Sequence, residues 1–346
     1  MGYDPFERVP LGRTALSLSR LGYGAASIGG LYRPVADADA HATVRRAWQL
    51  GIRYFDVAPL YGYGNAERRI GLGLRDRPRD EFVLSTKVGR LAVPHTAIAP
   101  DADIDQQLFE GREDAYYQAT PPVRMVFDYS YDGIMRSVEE SLKRTGLERL
   151  DILYIHDPDE HWEAAIGGAY PALADLRRQG VVKAIGAGMN QPGMLARFAR
   201  EGDFDVFLVA GRYTLLDQSA LPELLPLCTQ RNVAVVIGGV MNSGILADPT
   251  AGARFDYKPA DAHWTERALR LRDVCARFDV PLKAVAVQFV LAHPAVVSVV
   301  AGVRAASRLD EYPELMRHPI PDELWPALRE AGLLPTEAPT PDGHTG

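Results

Sequence analysis

The stretch Gly51-Ile52-Arg53-Tyr54-Phe55-Asp56-Val57-Ala58-Pro59-Leu60-Tyr61-Gly62-Tyr63-Gly64-Asn65-Ala66-Glu67 decides the fold. A short apolar and aromatic run, the pattern of a buried strand, breaks into a Pro- and Gly-rich loop before a helical pattern begins. Asp56 thus ends a strand, and Tyr61 lies five residues on in the loop above it. Working outward, the same pattern recurs. Lys87 follows Phe82-Val83-Leu84-Ser85-Thr86, His156 follows Ile152-Leu153-Tyr154-Ile155, and Asn190 follows Val182-Lys183-Ala184-Ile185-Gly186. In alternating strand and helix proteins the carboxyl ends of strands carry the chemistry, so these residues point to one converging site.

The rhythm extends along most of the chain. Residues 6–20 read as a hairpin, and Leu18 to Gly24 as a first strand. Gly22-Tyr23-Gly24 is not a dinucleotide fingerprint, because no third glycine opens a helix at the right distance. Asp37 to Leu50 has helical spacing, with Asp37 or Asp39 as N-cap and Gly51 as the stop. A helix over about 65–75 and a strand over 82–86 follow. Residues 88–130 carry Pro94, Pro100, Pro121 and Pro122 without a sustained period, and read as a long loop with a short helix around 112–118. The aromatics Phe109, Tyr116, Tyr117, Phe127 and Tyr129, with His95, make that loop a candidate lid; a solvated excursion is the alternative.

A helix from Tyr131 to Gly146 leads to the fourth strand, ending at His156. Further strands are expected over 181–185, 206–209, 233–237 and 297–301, with helices over 163–179, from Pro192, and over 220–231, 264–278 and 282–292. Two more helices close the chain. Eight strands joined by helices imply parallel pairing and a single closed (β/α)8 TIM barrel over 1–334. The Pro-, Thr- and Gly-rich tail over 335–346 reads as disordered.

Composition bounds the function. A chain of 346 residues, about half apolar, can bury one large core. The formal net charge of -7, with no basic block, argues against nucleic acid or an anionic membrane as partner and leaves a small molecule. Cys228 and Cys275 lack metal-ligand spacing and read as reduced thiols; no metal site is expected. The start shows no signal segment and no run is long enough to span a membrane, so a cytoplasmic enzyme is expected. Lysines occur only at Lys87, Lys143, Lys183, Lys258 and Lys283, which makes one at a strand end conspicuous.

With Asp56, Tyr61, Lys87 and His156 in order at strand ends, the chain resembles the aldo-keto reductases, whose tetrad is Asp, Tyr, Lys and His. Asp128-Tyr129-Ser130, Asp151 to Asp157, Gln288 to Pro294 and Ala301-Gly302-Val303-Arg304 extend the resemblance over nearly the whole chain. Singly, each tetrad member has a bland reading: a packing ring, a helix cap, a solvated strand end, a satisfied core histidine. Together they suit hydride transfer. A phenol moves a proton only if its pKa falls from about 10, which a neighbouring cation achieves. Tyr61 is then the acid or base, Lys87 the cation, Asp56 its anchor, and His156 the donor to the reacting oxygen.

The resemblance implies an NAD or NADP cofactor, NAD preferred. Asn190 would hold its carboxamide, with Gly238, Gly239 and Met241 beside the ring. Ala210 and Gly238 stand where the family often has Gln and a stacking Tyr. From Gly302 a helix would start whose N-terminal amides suit a phosphate, with Arg304 and Arg308 to grip a 2′-phosphate or stack on adenine. Tyr32, His95, Tyr129 and Asp157 are candidate substrate contacts. The segments Gly211 to Leu216 and Gly238 to Gly244 resemble the branch that oxidises free aldoses, of L-fucose or D-arabinose type, at the anomeric carbon. Pyridoxal oxidation, general aldehyde reduction and a cofactor-sensing regulatory subunit are the alternatives.

Overall fold

A computed structural model describes residues 2–105, 117–250 and 252–341. The chain opens with a hairpin, β1 (Arg8–Pro10) against β2 (Ser17–Ser19), antiparallel. Eight strands then close a barrel: β3 (Leu21–Gly24), β4 (Tyr54–Asp56), β5 (Val83–Val88), β8 (Ile152–His156), β9 (Ala184–Met189), β10 (Val206–Ala210), β11 (Ala234–Gly238) and β14 (Val296–Ala301). Every neighbouring pair around the barrel is parallel, β14 returning to β3. Helices cover the outside, beginning with α1 (Asp37–Leu50), α2 (Asn65–Leu74) and α3 (Tyr131–Thr145).

Period-two alternation explains how the mouth is furnished. Tyr54, Val83, Ile152 and Tyr154 point inward and form an interior cluster with Val206, Val236 and Val297. Phe55, Leu84, Leu153 and Ile155 point outward and belong to the larger core under the helices. Asp56, Lys87 and His156 are the inward positions one step above the interior layer. Leu11 and Leu18 of the hairpin join the interior cluster, so the hairpin plugs the opposite end.

Four expectations need correction. Leu18 belongs to the hairpin strand, and the barrel strand begins only at Leu21, because Ser17–Ser19 pairs backward with Arg8–Pro10. Alanine 36 stands at the N-cap of α1, and Asp37 and Asp39 lie in its first turn, where they complement the dipole instead of capping it. The long segment holds a hairpin, β6 (Arg90–Pro94) against β7 (Val123–Phe127), and Tyr117 forms a bridge with Leu31. The remaining part of the helix expected around 112–118 lies outside the described residues, as do Phe109 and Tyr116. The tail through 341 packs on the barrel: Ala338 is buried and its carbonyl accepts from Arg329 Nη2 at 2.9 Å. Residues 342–346 lie outside the described residues.

The later part carries a two-strand strap, β12 (Arg254–Phe255) and β13 (Lys258–Pro259), after β11. Three short helices, Ala306–Leu309, Glu311–Arg317 and Leu324–Glu330, close the chain where two were expected.

Candidate active site

Lys87 and Asp56 form a buried pair at the mouth, 1 % and 2 % exposed. Lys87 Nζ donates to Asp56 Oδ2 at 2.8 Å and to the Val57 carbonyl at 3.1 Å. Asp56 Oδ1 accepts from Ser85 Oγ at 2.7 Å, and Ser85 Oγ lies 3.1 Å from the Tyr54 hydroxyl, itself 3.2 Å from that of Tyr154. A polar chain therefore runs from the acid down into the barrel. It satisfies groups that would otherwise cost several kcal/mol to bury.

The loop after β4 brings Tyr61 back over this pair. Its ring centroid is 4.7 Å from Lys87 Nζ, 5.9 Å from the His156 ring, which meets it edge-on, and 6.2 Å from Tyr117. The four tetrad positions thus gather in one place. One expectation fails: burial, with the Asp56 carboxylate adding to it, pushes the Tyr61 phenol well above 10. The ammonium is committed to Asp56 at 2.8 Å, so within the protein itself the phenol stays protonated.

His156 is neutral, because burial and the nearby Arg90 and Lys87 charges hold its pKa well below 6.5. Among the described residues its buried Nδ1 has no hydrogen-bond partner, and its Nε2 lies 3.4 Å from Asp157 Oδ2. Arg90, the second residue after β5, braces this corner. Its Nε donates to Asp105 Oδ2 at 2.9 Å and its Nη1 to the His156 carbonyl at 2.9 Å.

A cavity of about 750 Å³ runs from Asp56 and Tyr61 across Ala210 and Gly238 to Arg304 and Arg308. Its size suits a dinucleotide with a small substrate. Gly238 and Ala210 face each other across β10 and β11, and a Cβ on Gly238 would come within 3.1 Å of Leu208. Gly239 has a φ of +64°, a conformation that costs other residues strain. Small residues therefore leave a recess here whose floor is backbone.

The other sequence candidates divide. Gly239, Met241, Gly302, Arg304, Arg308 and Tyr32 line the cavity. Asn190 is not among its lining residues; its amide donates to Asp256 Oδ1 at 3.3 Å on the strap, whose other oxygen takes Arg212 at 2.9 Å. Tyr129 is buried behind the site and donates to the His156 carbonyl at 2.6 Å, so it supports the strand end rather than facing a ligand. His95 is exposed at the tip of the β6–β7 hairpin, outside the cavity lining. The helix expected to cradle phosphate spans only Ala306–Leu309, so its dipole is small, and Arg304, Arg308 and Lys283 bring the positive charge there.

Sequence reasoning missed Arg90, Ser85, Tyr257 and Glu311. Tyr257 lines the cavity from the strap; Glu311 takes Arg308 Nη1 at 3.0 Å and Lys283 Nζ at 2.5 Å at its far end. Only Arg90, three residues beyond Lys87, carried a local signal. Among the described residues no group of three metal-ligating side chains occurs, and no helix is long and apolar enough to cross a membrane.

A closed parallel barrel with an acid, a phenol, a lysine and an imidazole gathered at its mouth beside a long cavity is the architecture of an oxidoreductase. The chain belongs to the aldo/keto reductase family of NAD(P)-dependent enzymes, whose sequence profile matches residues 20–332. It is 44 % identical over 341 residues to the pyridoxal 4-dehydrogenase of Microbacterium luteolum, covering 95 % of this chain and 98 % of that one. It is 42 % identical over 325 residues to a D-threo-aldose 1-dehydrogenase of a Pseudomonas species, covering 93 % and 96 %. A solved aldo-keto reductase of Bacillus halodurans in its holo form shares the fold, with a TM-score of 0.73 over 99 % of this chain and 100 % of that one at 23 % identity.

Proposed function

We propose that this enzyme oxidises a free aldose of L-fucose or D-arabinose type, in its cyclic form, at the anomeric carbon to the lactone. The observation that carries the reading is the gathering of Asp56, Tyr61, Lys87 and His156 at the end of a dinucleotide-sized cavity. The relatives at 42 % and 44 % identity support it, since aldoses and pyridoxal both close on themselves to hemiacetals.

A bound NAD(P)+ would supply the hydride acceptor for the hemiacetal carbon and a positive ring favouring the phenolate that the protein alone keeps protonated. Tyr61 Oη then takes the proton of the hemiacetal hydroxyl. Lys87, anchored by Asp56, keeps a positive charge beside that oxygen as the proton arrives and leaves. Neutral His156 has a nitrogen proton to donate to the reacting oxygen without adding charge, which fixes the oxygen's orientation. In the reverse direction Tyr61 is the acid, its protonated state already secured by burial.

NAD is the preferred cofactor in this reading. Glu311, held ionised chiefly by its hydrogen bond to Lys283, would accept a ribose hydroxyl and repel a 2′-phosphate. Pyridoxal is the second reading, favoured by the aromatic surround of Tyr32, Tyr61, Tyr117 and Tyr257. Purified protein mixed with NAD or NADP and a panel of aldoses, pyridoxal and simple aldehydes, followed by nicotinamide absorbance, tests both. Aldose-dependent NAD reduction is the expected result; turnover of pyridoxal alone would replace the first reading by the second.

A further inference from the structure

We propose that Asp157 selects the substrate, its carboxylate receiving the hydroxyl on the carbon next to the reacting one. The inference rests on the aldose reading above and names the part of the sugar that the site recognises. Four observations carry it.

Asp157 directly follows His156 and has a φ of +39°, an unusual conformation for a residue with a side chain. Its N–H donates to the Gly188 carbonyl at 3.2 Å and its own carbonyl takes the Tyr129 hydroxyl at 3.1 Å. Strain held in place by its surroundings marks positions kept for function.

The carboxylate is only half-committed. Oδ2 lies 3.4 Å from His156 Nε2 and 3.5 Å from Arg90 Nη1, both long for well-made bonds. Arg90 makes its short bonds elsewhere, to Asp105 and the His156 carbonyl. Among the described residues Asp157 Oδ1 takes no hydrogen bond, and the side chain is 27 % exposed beside a His156 that is 7 % exposed.

The place is right for a neighbouring oxygen. His156 faces the Tyr61 ring, and the Asp157 carboxylate is close enough to Tyr61 and Tyr117 to disfavour the ionisation of both. Oxygens on adjacent carbons are about one hydrogen-bond length apart. A reacting oxygen held at His156 therefore brings its neighbour to the carboxylate next door. An ionised carboxylate can only accept, and a sugar hydroxyl can donate to it in a charge-assisted bond.

The surrounding charges leave it ionised at neutral pH. Burial, with Asp159 and Asp105 adding, pushes its pKa up to about 6, while Arg90 and Lys87 pull against the rise.

The test compares three aldopentoses with NAD on the full chain: D-arabinose, its C2 epimer D-ribose, and 2-deoxy-D-ribose, which lacks the hydroxyl in question. A site built to bond a hydroxyl rejects the analogue lacking it, so kcat/KM for D-arabinose should exceed that for the deoxy sugar by about 100-fold or more, D-ribose falling between. In Asp157→Asn and Asp157→Ala that ratio should shrink to under about tenfold, with the NAD-induced thermal shift reporting that each variant is folded. A wild-type ratio near one overturns the proposal whatever the variants do. A ratio preserved in both variants overturns it as well and leaves the aldose reading standing. Absence of turnover with all three sugars, together with turnover of pyridoxal, removes the aldose reading and this inference with it.

Discussion

Residue by residue, the site depends on a buried charge pair that no water can replace. Lys87→Met leaves Asp56 buried and unpaired, so stability to urea should fall by about 3–5 kcal/mol. Adding Asp56→Asn should recover part of that loss, because the stranded charge is gone; a double variant as unstable as the sum would refute the pairing argument. Tyr61→Phe should retain the fold and NAD binding and lose hydride transfer by at least about a thousandfold, measured as kcat. Asp157 gives a pH signature. Its native pKa of about 6 lies above the ordinary 3.8, so the native state binds its proton more tightly than the unfolded one. Its contribution to stability is full below about pH 4 and is lost as pH rises through 6, on the order of 2–3 kcal/mol. Melting temperatures of wild type and Asp157→Asn should therefore diverge in the variant's favour between about pH 4 and pH 8. His156 acts in the opposite sense: its lowered pKa gives stability present above 6.5 and lost on acidification. The positions of Asp56, Lys87 and His156 were legible because each ends an apolar run. The direction of the Tyr61 shift was not, since it depends first on how deeply the fold buries the ring and then on the nearby Asp56 charge.

At the scale of elements, the strands and helices that alternate regularly were readable, while the segment after β5 was not. Arg90–Pro94 and Val123–Phe127 are short, lie far apart in sequence and bury their residues without alternation, so neither carries a pattern that the sequence alone can show. Only their pairing reveals them. That hairpin braces the mouth, because Arg90 and Tyr129 both hold the carbonyl of His156. Gly89 is the hinge on which it depends, with a φ of +99° and room for no Cβ: an added methyl would stand 2.1 Å from the Tyr129 ring. Gly89→Ala should therefore destabilise by about 2–4 kcal/mol. It should also lower kcat/KM with the sugar, since Tyr129 must leave the His156 carbonyl. Denaturant unfolding and steady-state kinetics on the same sample check both; loss of stability with unchanged kinetics would show that the hairpin does not position the imidazole.

For the molecule as a whole, a closed parallel barrel puts every strand's carboxyl end at one mouth, which is why residues separated by a hundred positions meet there. Closure was readable from eight strands with helical connections. The far end of the cavity was not, because Lys283 meets Glu311, 28 residues on, only when the helices that carry them pack together; the Arg308–Glu311 pair alone, three residues apart, reads as an ordinary surface contact. In the NAD reading proposed above, that cluster sets the choice between the two nicotinamide cofactors. With Glu311 ionised between them, Lys283 and Arg308 are already paired and a 2′-phosphate would meet a negative charge. NAD at about a hundred times its dissociation constant should stabilise the fold by about 2.7 kcal/mol, a rise of roughly 5 °C in melting temperature, with NADP at equal concentration giving less. Glu311→Gln removes the repulsion and releases both cations, so the NADP shift should grow and the NAD shift shrink as its hydroxyl acceptor weakens. A larger shift with NADP than with NAD in the wild type, unaltered by the substitution, would show that Arg304 sets the preference and that Glu311 merely ties two surface helices together.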